Sequence, residues 1–380
     1  MRILSFFCRI LTVLALTALP ANAAAKQPAG ALPQSLPLEA MVGQMIMVGF
    51  RGDGASPNVP EMRTVLEDIR AGRVGGVIFF DRDWQTKKRG RNVTSVAQVT
   101  KLCALLQAEA PIPLFIAVDQ EGGRVQRLRP DHGFAATPTA WELGKQTPAE
   151  TEKAAVTMGS ALRRIGINVN FAPVADIAIH PESPAIGALG RAFSSEPAVA
   201  AEHAAAFMAG LTKTKIIGSY KHFPGHGSAV ADSHHKLTDI TATWREDELT
   251  LYKTLPPNGP FMVMTGHLMH TGFDARYPAS LSEKITTGLL RNKLGWRGVV
   301  VTDDLEMEAI NLFYPMEERI RLAINAGVDI ILFGNNLQYH PEQGRRVHAA
   351  IMRLVASGAV SPARIAESWG RIRALKANLQ

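Results

Sequence analysis

Residues 298–307 have the sequence GVVVTDDLEM, in which a short apolar run ends at two adjacent aspartates, Asp303 and Asp304. Apolar runs of four to eight residues are typical of strands buried on both faces, as in parallel sheets covered by helices. We therefore predict a buried parallel strand over residues 298–302, with two carboxylates at its carboxyl end.

Seven further runs of this kind occur in the chain, over residues 45–50, 76–80, 114–118, 168–173, 216–220, 261–265 and 328–333. Segments with helical spacing lie between them, over residues 60–71, 95–108, 149–164, 198–212, 282–294 and 317–326. Two more, over 341–356 and 361–379, close the chain. Eight alternations of strand and helix predict an α/β fold of the (β/α)8 TIM-barrel type in a single domain. A doubly wound sheet is the alternative, although no glycine-rich phosphate-binding string follows the first strand.

Composition excludes several other classes of protein. With 46% hydrophobic and 20% charged residues over 380 positions, the chain is neither disordered nor fibrous. Two cysteines, Cys8 and Cys103, cannot form a disulfide framework or a paired zinc site. The net charge is +7, but the densest basic run, over residues 87–91, is short, so we predict no nucleic-acid partner.

The amino-terminal residues have the pattern of an export signal. Arg2 and Arg9 precede an apolar run over residues 10–19, and Ala21-Asn22-Ala23 matches a cleavage site. The run is too short to span a bilayer, so we predict no stable membrane insertion after cleavage. We predict a signal peptide over residues 1–23, a linker over 24–38, a catalytic barrel over 39–380, and a periplasmic or secreted location. An amphipathic start that belongs to the fold is the alternative.

Polar residues collect immediately after the predicted strands. They are Asp119 to Arg124 after the third strand, Asp176 after the fourth, Lys221 to Gly227 after the fifth, His267 after the sixth, and Asp303 with Asp304 after the seventh. Active sites of (β/α)8 barrels lie at the carboxyl ends of the strands. The distribution therefore predicts a catalytic site at that face of the barrel.

The segment after the fifth strand is rich in histidine. His222 and His226 are separated by Pro224 and Gly225, so they cannot share a helix face as paired zinc ligands do, and we predict no metal and no cofactor. Asp232 and His234 lie two residues apart. A carboxylate beside an imidazole raises the imidazole pKa and orients the ring, so this pair is a candidate general acid/base.

Several strings together resemble glycoside hydrolase family 3, in its single-domain β-N-acetylglucosaminidase branch. They are VGQMIMVGF, GGVIFF, VDQEGGRVQRL, NVNFAPVADI, KHFPGHG with a following DSH, MTGH and GVVVTDDLEM. They occur in the family's order from about residue 38 onward, and the string KHFPGHG is highly specific for this family. The chain is therefore similar to this family over nearly its whole length.

The resemblance implies roles for individual residues. Asp303 corresponds to the nucleophile, with Asp304 as a supporting neighbour, and His234 paired with Asp232 corresponds to the acid/base. Substrate contacts are implied for Asp119, Arg127, Arg191, Lys221 and His222. The implied activity is that of an exported, retaining exo-β-N-acetylhexosaminidase that uses no cofactor and releases terminal N-acetylglucosamine. Its implied partner is an oligosaccharide or muropeptide substrate from cell-wall or chitin-type glycans.

Three positions depart from the family pattern, namely Ser228, Ala192 and Asp83. These departures leave the fine substrate specificity open. The sequence also leaves open the natural leaving group, whether N-acetylgalactosamine is accepted, and the oligomeric state. A phosphorylase is an alternative, because a neutral histidine tolerates an approaching phosphate better than a carboxylate would. Another family 3 β-glycosidase and a non-catalytic sugar-binding barrel are further alternatives.

Overall fold

Eight short, buried strands form the centre of the protein in a computed structural model that describes residues 32–54, 59–230 and 237–379. They are β1 Ile46–Gly49, β2 Gly76–Phe79, β3 Phe115–Val118, β4 Val169–Asn170, β5 Ile217–Phe223, β6 Phe261–Thr265, β7 Val299–Thr302 and β8 Ile331–Phe333. Every predicted strand is confirmed. The predicted signal peptide, most of the predicted linker, and Asp232 and His234 lie outside the described residues.

The strands pair in parallel and in chain order, and the ring closes between its last and first members. β1 to β7 are consecutive neighbours, and β8 pairs with β1, with Ile46 opposite Ile331. A parallel bridge between Val301 and Ile330, with a 3.1 Å hydrogen bond from Thr302 N to Ile330 O, joins β8 to β7. The predicted (β/α)8 barrel is therefore confirmed over the doubly wound sheet.

Helices surround the barrel at most of the predicted positions. They are α1 Leu38–Gln44, α2 Pro60–Arg70, α3 Val96–Glu109, α4 Ala140–Leu143, α5 Pro148–Arg164, α6 Pro197–Lys213, α7 Glu308–Asn311, α8 Met316–Ala326, α9 Gln343–Ala356 and α10 Pro362–Lys376. A π-helix, Lys284–Lys293, occupies the predicted helix over 282–294. Local capping explains several starts: Ser95 accepts from Gln98 N, and Thr147 forms a capping box with Glu150. Within the described residues, none of the helices has the length and apolar character needed to cross a bilayer.

The predicted alternation of strand and helix is wrong in one place, between β5 and β6. The described residues there form a two-residue strand, Thr238–Asp239, and two 3-10 turns, Glu246–Leu249 and Tyr252–Thr254. Tyr252 is buried and packs edge-on against Phe223 of β5, with ring centroids 5.0 Å apart. Turns can replace a helix here because the Tyr252 side chain of the second turn covers the outside of β5.

The opposite, amino-terminal end of the barrel is closed by polar contacts to α10. The ammonium of Lys376 is fully buried and donates to Gln44 Oε1 at 2.6 Å, Gly75 O at 2.9 Å and Pro113 O at 2.6 Å. These acceptors precede β1, β2 and β3. Burial lowers the pKa of Lys376 to about 7. The amino-terminal end of the barrel therefore has a structural role, and we look for the active site at the carboxyl ends of the strands.

Candidate active site

A cavity of about 600 Å³ opens at the carboxyl ends of the strands. Its apolar lining comes from the barrel interior and includes Ile78, Phe171, Met264 and Leu332. Its charged lining includes Asp119, Arg127, Lys221, Asp303, Asp304 and Glu306. The structure therefore brings the predicted nucleophile together with three of the five predicted substrate-contacting residues, from parts of the chain nearly 200 positions apart.

Asp303 stands at the end of β7 and is partly buried. Its backbone N–H donates to Thr265 O of β6 at 2.9 Å, which continues the parallel pairing by one residue. Its Oδ1 accepts from the backbone N–H of Asp304 at 2.8 Å. The strand pairing therefore holds the Asp303 backbone, and one oxygen of its carboxylate is oriented by the next peptide.

Asp304 connects the ends of β7 and β8. Its Oδ1 accepts from Gly334 N at 2.9 Å and from Glu306 N at 3.0 Å, and its carbonyl oxygen lies 2.8 Å from Nε2 of His267. These contacts orient the turn that follows Asp303. The supporting role in catalysis that the resemblance implies for Asp304 stays a prediction.

Lys221 is the centre of an ionic cluster at the β3 and β5 ends. Its Nζ lies 3.1 Å from Asp119 Oδ1 and 2.7 Å from Glu121 Oε1, and Arg127 lies 3.2 Å from Asp119 Oδ2. Burial opposes ionisation of Asp119, but attraction to Lys221 and Arg127 outweighs it and lowers the pKa of Asp119. Likewise, burial opposes the charge on Lys221, but Glu121 and Asp119 raise the Lys221 pKa. The cluster is therefore ionised at neutral pH and presents both charge signs to the cavity.

Arg191 contacts this cluster through Glu121, on the side away from the cavity lining. Its guanidinium binds both oxygens of Glu121, Nε to Oε2 and Nη2 to Oε1, each at 2.8 Å, and its Nη1 donates to Ala185 O at 2.8 Å. Arg191 is not among the residues that line the cavity, and its Glu121 partner in turn holds Lys221. The structure thus shows Arg191 positioning Glu121 and Lys221, while substrate contact by Arg191 stays a prediction.

His222 of β5 forms a buried pair with Asp176, which follows the preceding strand, β4. Its Nδ1 lies 2.7 Å from Asp176 Oδ2, and the backbone N–H groups of His222 and His226 both donate to Asp176 Oδ1, at 3.0 and 2.8 Å. Burial, followed by the neighbouring His222, lowers the pKa of His226 to about 4. Because His222 does not line the cavity, its predicted substrate contact stays a prediction.

Two buried carboxyl groups near the site were not among the residues predicted from the sequence. Burial and the nearby Asp304 raise the pKa of Glu306, whose side chain lines the cavity. Burial and Asp176 raise the pKa of Glu248 to about 8. Glu306 lies within the quoted GVVVTDDLEM string, three residues after Asp303, so its proximity to the predicted nucleophile could have indicated that it lies in the site. Nothing near Glu248 in the sequence indicates its position.

Glu248 holds the loop that follows β5. Its Oε2 accepts from Gly227 N at 3.0 Å and its Oε1 from Ser228 N at 3.1 Å. Ser228, one of the departures from the family pattern, is therefore held through its backbone. Ala192, another departure, is buried in a small apolar cluster beside Ala185 and Ile186.

Asp83, the third departure, organises the loop after β2. Its Oδ2 lies 2.7 Å from Arg51 Nε and 2.6 Å from Arg91 Nη1, and its Oδ1 accepts from Thr86 N at 2.9 Å. Asp232 and His234 lie outside the described residues, so their pairing stays a prediction. Within the described ranges, no three His, Cys, Asp or Glu side chains are grouped to hold a metal ion.

Comparison with curated proteins shows related sequences. A beta-hexosaminidase A from Pseudoalteromonas piscicida is 31% identical over 379 residues, covering 89% of this chain and 61% of that protein. A beta-hexosaminidase from Nitrosomonas eutropha is 36% identical over 277 residues, covering 69% of this chain and 74% of the relative. The chain thus spans less than two thirds of the first protein's length.

Solved structures show the same architecture. A glycoside hydrolase family 3 beta-N-acetylglucosaminidase from Paenibacillus sp. superposes with a TM-score of 0.81 at 36% identity, covering 90% of this chain and 63% of that one. A beta-N-acetylhexosaminidase from Beutenbergia cavernae superposes with a TM-score of 0.79 at 31% identity, covering 91% of this chain and 100% of that one.

The family model of the glycosyl hydrolase family 3 N terminal domain matches residues 37–375, which include the whole barrel and its cavity. The match confirms the resemblance carried by the strand-end motifs. On sequence, fold and site together, the chain belongs to glycosyl hydrolase family 3.

Proposed function

We propose that this protein is a retaining exo-β-N-acetylhexosaminidase that releases terminal β-linked N-acetylglucosamine from cell-wall or chitin-type glycans. The observation that carries the proposal is the shared cavity of Asp303 with the Asp119–Lys221–Arg127 cluster. Ionised groups of both signs suit the hydroxyl groups of a sugar, because hydrogen bonds to charged partners are stronger than neutral ones. The beta-hexosaminidase names of its relatives support the same assignment.

Each residue has a step in the proposed reaction. A carboxylate oxygen of Asp303 forms a bond to the anomeric carbon while the glycosidic bond breaks, and His234 gives its proton to the leaving oxygen. In the second step His234 takes a proton from water, whose oxygen replaces Asp303 at the anomeric carbon. Two inversions at one carbon retain its configuration. Asp119, Lys221 and Arg127 bind the sugar throughout.

A substrate panel tests this function. The purified protein is assayed on aryl β-glycosides of N-acetylglucosamine, N-acetylgalactosamine and glucose, with and without inorganic phosphate. We expect turnover of the N-acetylglucosaminide to free sugar of β configuration, and no turnover by Asp303→Asn. A sugar 1-phosphate formed with phosphate would assign a phosphorylase instead, and preference for the glucoside would assign another β-glycosidase. A folded wild-type protein that turns over none of them would overturn the proposal in favour of a sugar-binding barrel.

Export is part of the same proposal. Its support is the order of Arg2 and Arg9, the apolar run over 10–19 and the Ala21-Asn22-Ala23 site. Mass spectrometry of the native protein is expected to show an amino terminus close to Ala24 in a periplasmic or culture fraction. A native protein that retains Met1 or Arg2 in the cytoplasm would contradict it.

A further inference from the structure

The loop between β2 and α3 is held at the mouth of the cavity by a network of charged contacts. Asp83 is at the centre, because Arg51 and Arg91 bind its carboxylate and its backbone N–H donates to Lys88 O at 2.8 Å. An antiparallel bridge between Arg82 and Arg89 closes the loop. A buried carboxylate with several partners fixes its surroundings, so residues 82–89 form a preorganised structure.

Trp84 is the aromatic side chain that this loop presents to the cavity. Its backbone N–H donates to Asn336 Oδ1 at 2.9 Å, and Asn336 Nδ2 donates to Arg82 O at 3.2 Å, which ties the loop to the residues after β8. Trp84 lines the cavity and is nevertheless 48% exposed. Lys87 Nζ lies over one face of the ring, 3.7 Å from its centroid, so a ligand that stacks on Trp84 would use the opposite face.

The two ends of the cavity differ in depth and chemistry. Lys221 and Asp119, at the deep end, have side chains only 4% and 17% exposed. Trp84 is at the open end. In an exo-acting glycosidase the terminal sugar enters first and occupies the deep end, so the group that leaves extends toward the mouth. This step rests on the proposed function, which places the reacting carbon next to Asp303.

From this geometry we infer that Trp84 is the platform of a leaving-group subsite that binds a pyranose ring. Pyranose rings carry C–H bonds on their faces, and an indole offers a large, rigid apolar surface with little rotational freedom to lose. The fixed loop removes the cost of ordering the platform on binding. Trp84 therefore determines specificity for glycans over substrates with small leaving groups.

The test compares two substrates that share the terminal sugar and differ in the leaving group. One is the β1,4-linked disaccharide of N-acetylglucosamine, whose leaving group is a whole pyranose that can stack on Trp84. The other is β-N-acetylglucosaminyl fluoride, whose one-atom leaving group cannot. For Trp84→Ala we expect kcat/KM on the disaccharide to fall about tenfold, the scale of losing one buried apolar contact. On the fluoride it should stay within about twofold. Trp84→Phe keeps a ring and should retain most of the activity on the disaccharide.

Trp141 provides a matched control. It is 37% exposed on α4, also has a lysine near its ring, and lies outside the cavity lining. Trp141→Ala should leave kcat/KM unchanged on both substrates. Equal loss on both substrates by Trp84→Ala, or no loss on the disaccharide, would overturn the subsite while leaving the proposed function standing. A wild-type protein that hydrolyses neither substrate would overturn the proposed function and the subsite with it.

Discussion

The Asp304 carboxylate accepts a hydrogen bond from the backbone N–H of Gly334 at 2.9 Å, so that the ends of β7 and β8 meet beside the candidate nucleophile. The approach is possible because position 334 has no side chain. A Cβ atom there would lie 2.2 Å from Asp304 Oδ2 and 3.0 Å from its Cγ. Gly334 is therefore part of the geometry that orients the turn after Asp303.

Replacing Gly334 with alanine should displace Asp304 and, with it, the Asp303 peptide. We expect kcat to fall by roughly tenfold or more, because small misplacements of reacting groups are costly, and stability to fall by about 1–3 kcal/mol from overpacking. Steady-state kinetics and thermal unfolding measure the two effects. Gly370→Ala in α10 is the matched control, since nothing lies within 4 Å of its added Cβ; it should be neutral or slightly stabilising. An unimpaired Gly334→Ala enzyme would contradict this role.

Replacing Asp303 with asparagine should abolish formation of the glycosyl-enzyme while preserving the fold. Loss of the attacking carboxylate should lower kcat by roughly a thousandfold or more, about 4 kcal/mol in the barrier. Trapping the wild-type intermediate with a fluorinated substrate analogue and sequencing the labelled peptide identifies the residue. A label on Asp304 would move the role to its neighbour.

Replacing His234 with alanine should damage substrates with poor leaving groups most, because a good leaving group departs without protonation. Asp232→Ala should show a milder form of the same pattern through a lower imidazole pKa. His235→Ala is the matched control and should change rates little. The measurement is kcat/KM across aryl glycosides of graded leaving-group acidity. A wild-type slope in the His234 variant would place the acid/base elsewhere.

Replacing Glu248 with glutamine should change how stability depends on pH. The pKa of Glu248 rises on folding from its ordinary value of 4.5 to about 8, so folding favours the protonated form. The stability from this group is complete below about pH 4.5 and is lost as the pH rises toward 8. Glutamine does not ionise, so the variant should gain stability relative to wild type between pH 5 and 8, by a few kcal/mol at most.

Thermal unfolding from pH 5 to 9 measures the difference. Glu246→Gln is the matched control from the same turn, because Glu246 is exposed and pairs with Lys253. Its offset from wild type should be independent of pH over this range. A Glu248→Gln variant that keeps a constant offset would show that Glu248 does not titrate there.

The strands and the position of Asp303 at a strand end beside the cavity could be predicted from the sequence. Parallel strands buried on both faces require continuous apolar runs, so 298–302 and its seven counterparts stand out without knowledge of their neighbours. The rule that barrel sites lie at strand ends then identified Asp303, Asp119 and Lys221. The alternation of strand and helix also predicts a helix between β5 and β6, and this prediction was wrong. The packing of Tyr252 on Phe223 is a tertiary contact, which the periodicity of the local sequence does not reveal.

Which charges meet was decided only by the tertiary structure. Lys221 binds Glu121 across 100 positions of sequence, and His222 binds Asp176 across 46. Partners at such separations depend on barrel closure and strand register. The same holds for burial, which raises the pKa of Glu248 and Glu306 and has no counterpart in residue type. Local pattern thus determined the elements and the strand-end chemistry, whereas long-range packing decided the partners, the protonation states and the platform formed by Trp84.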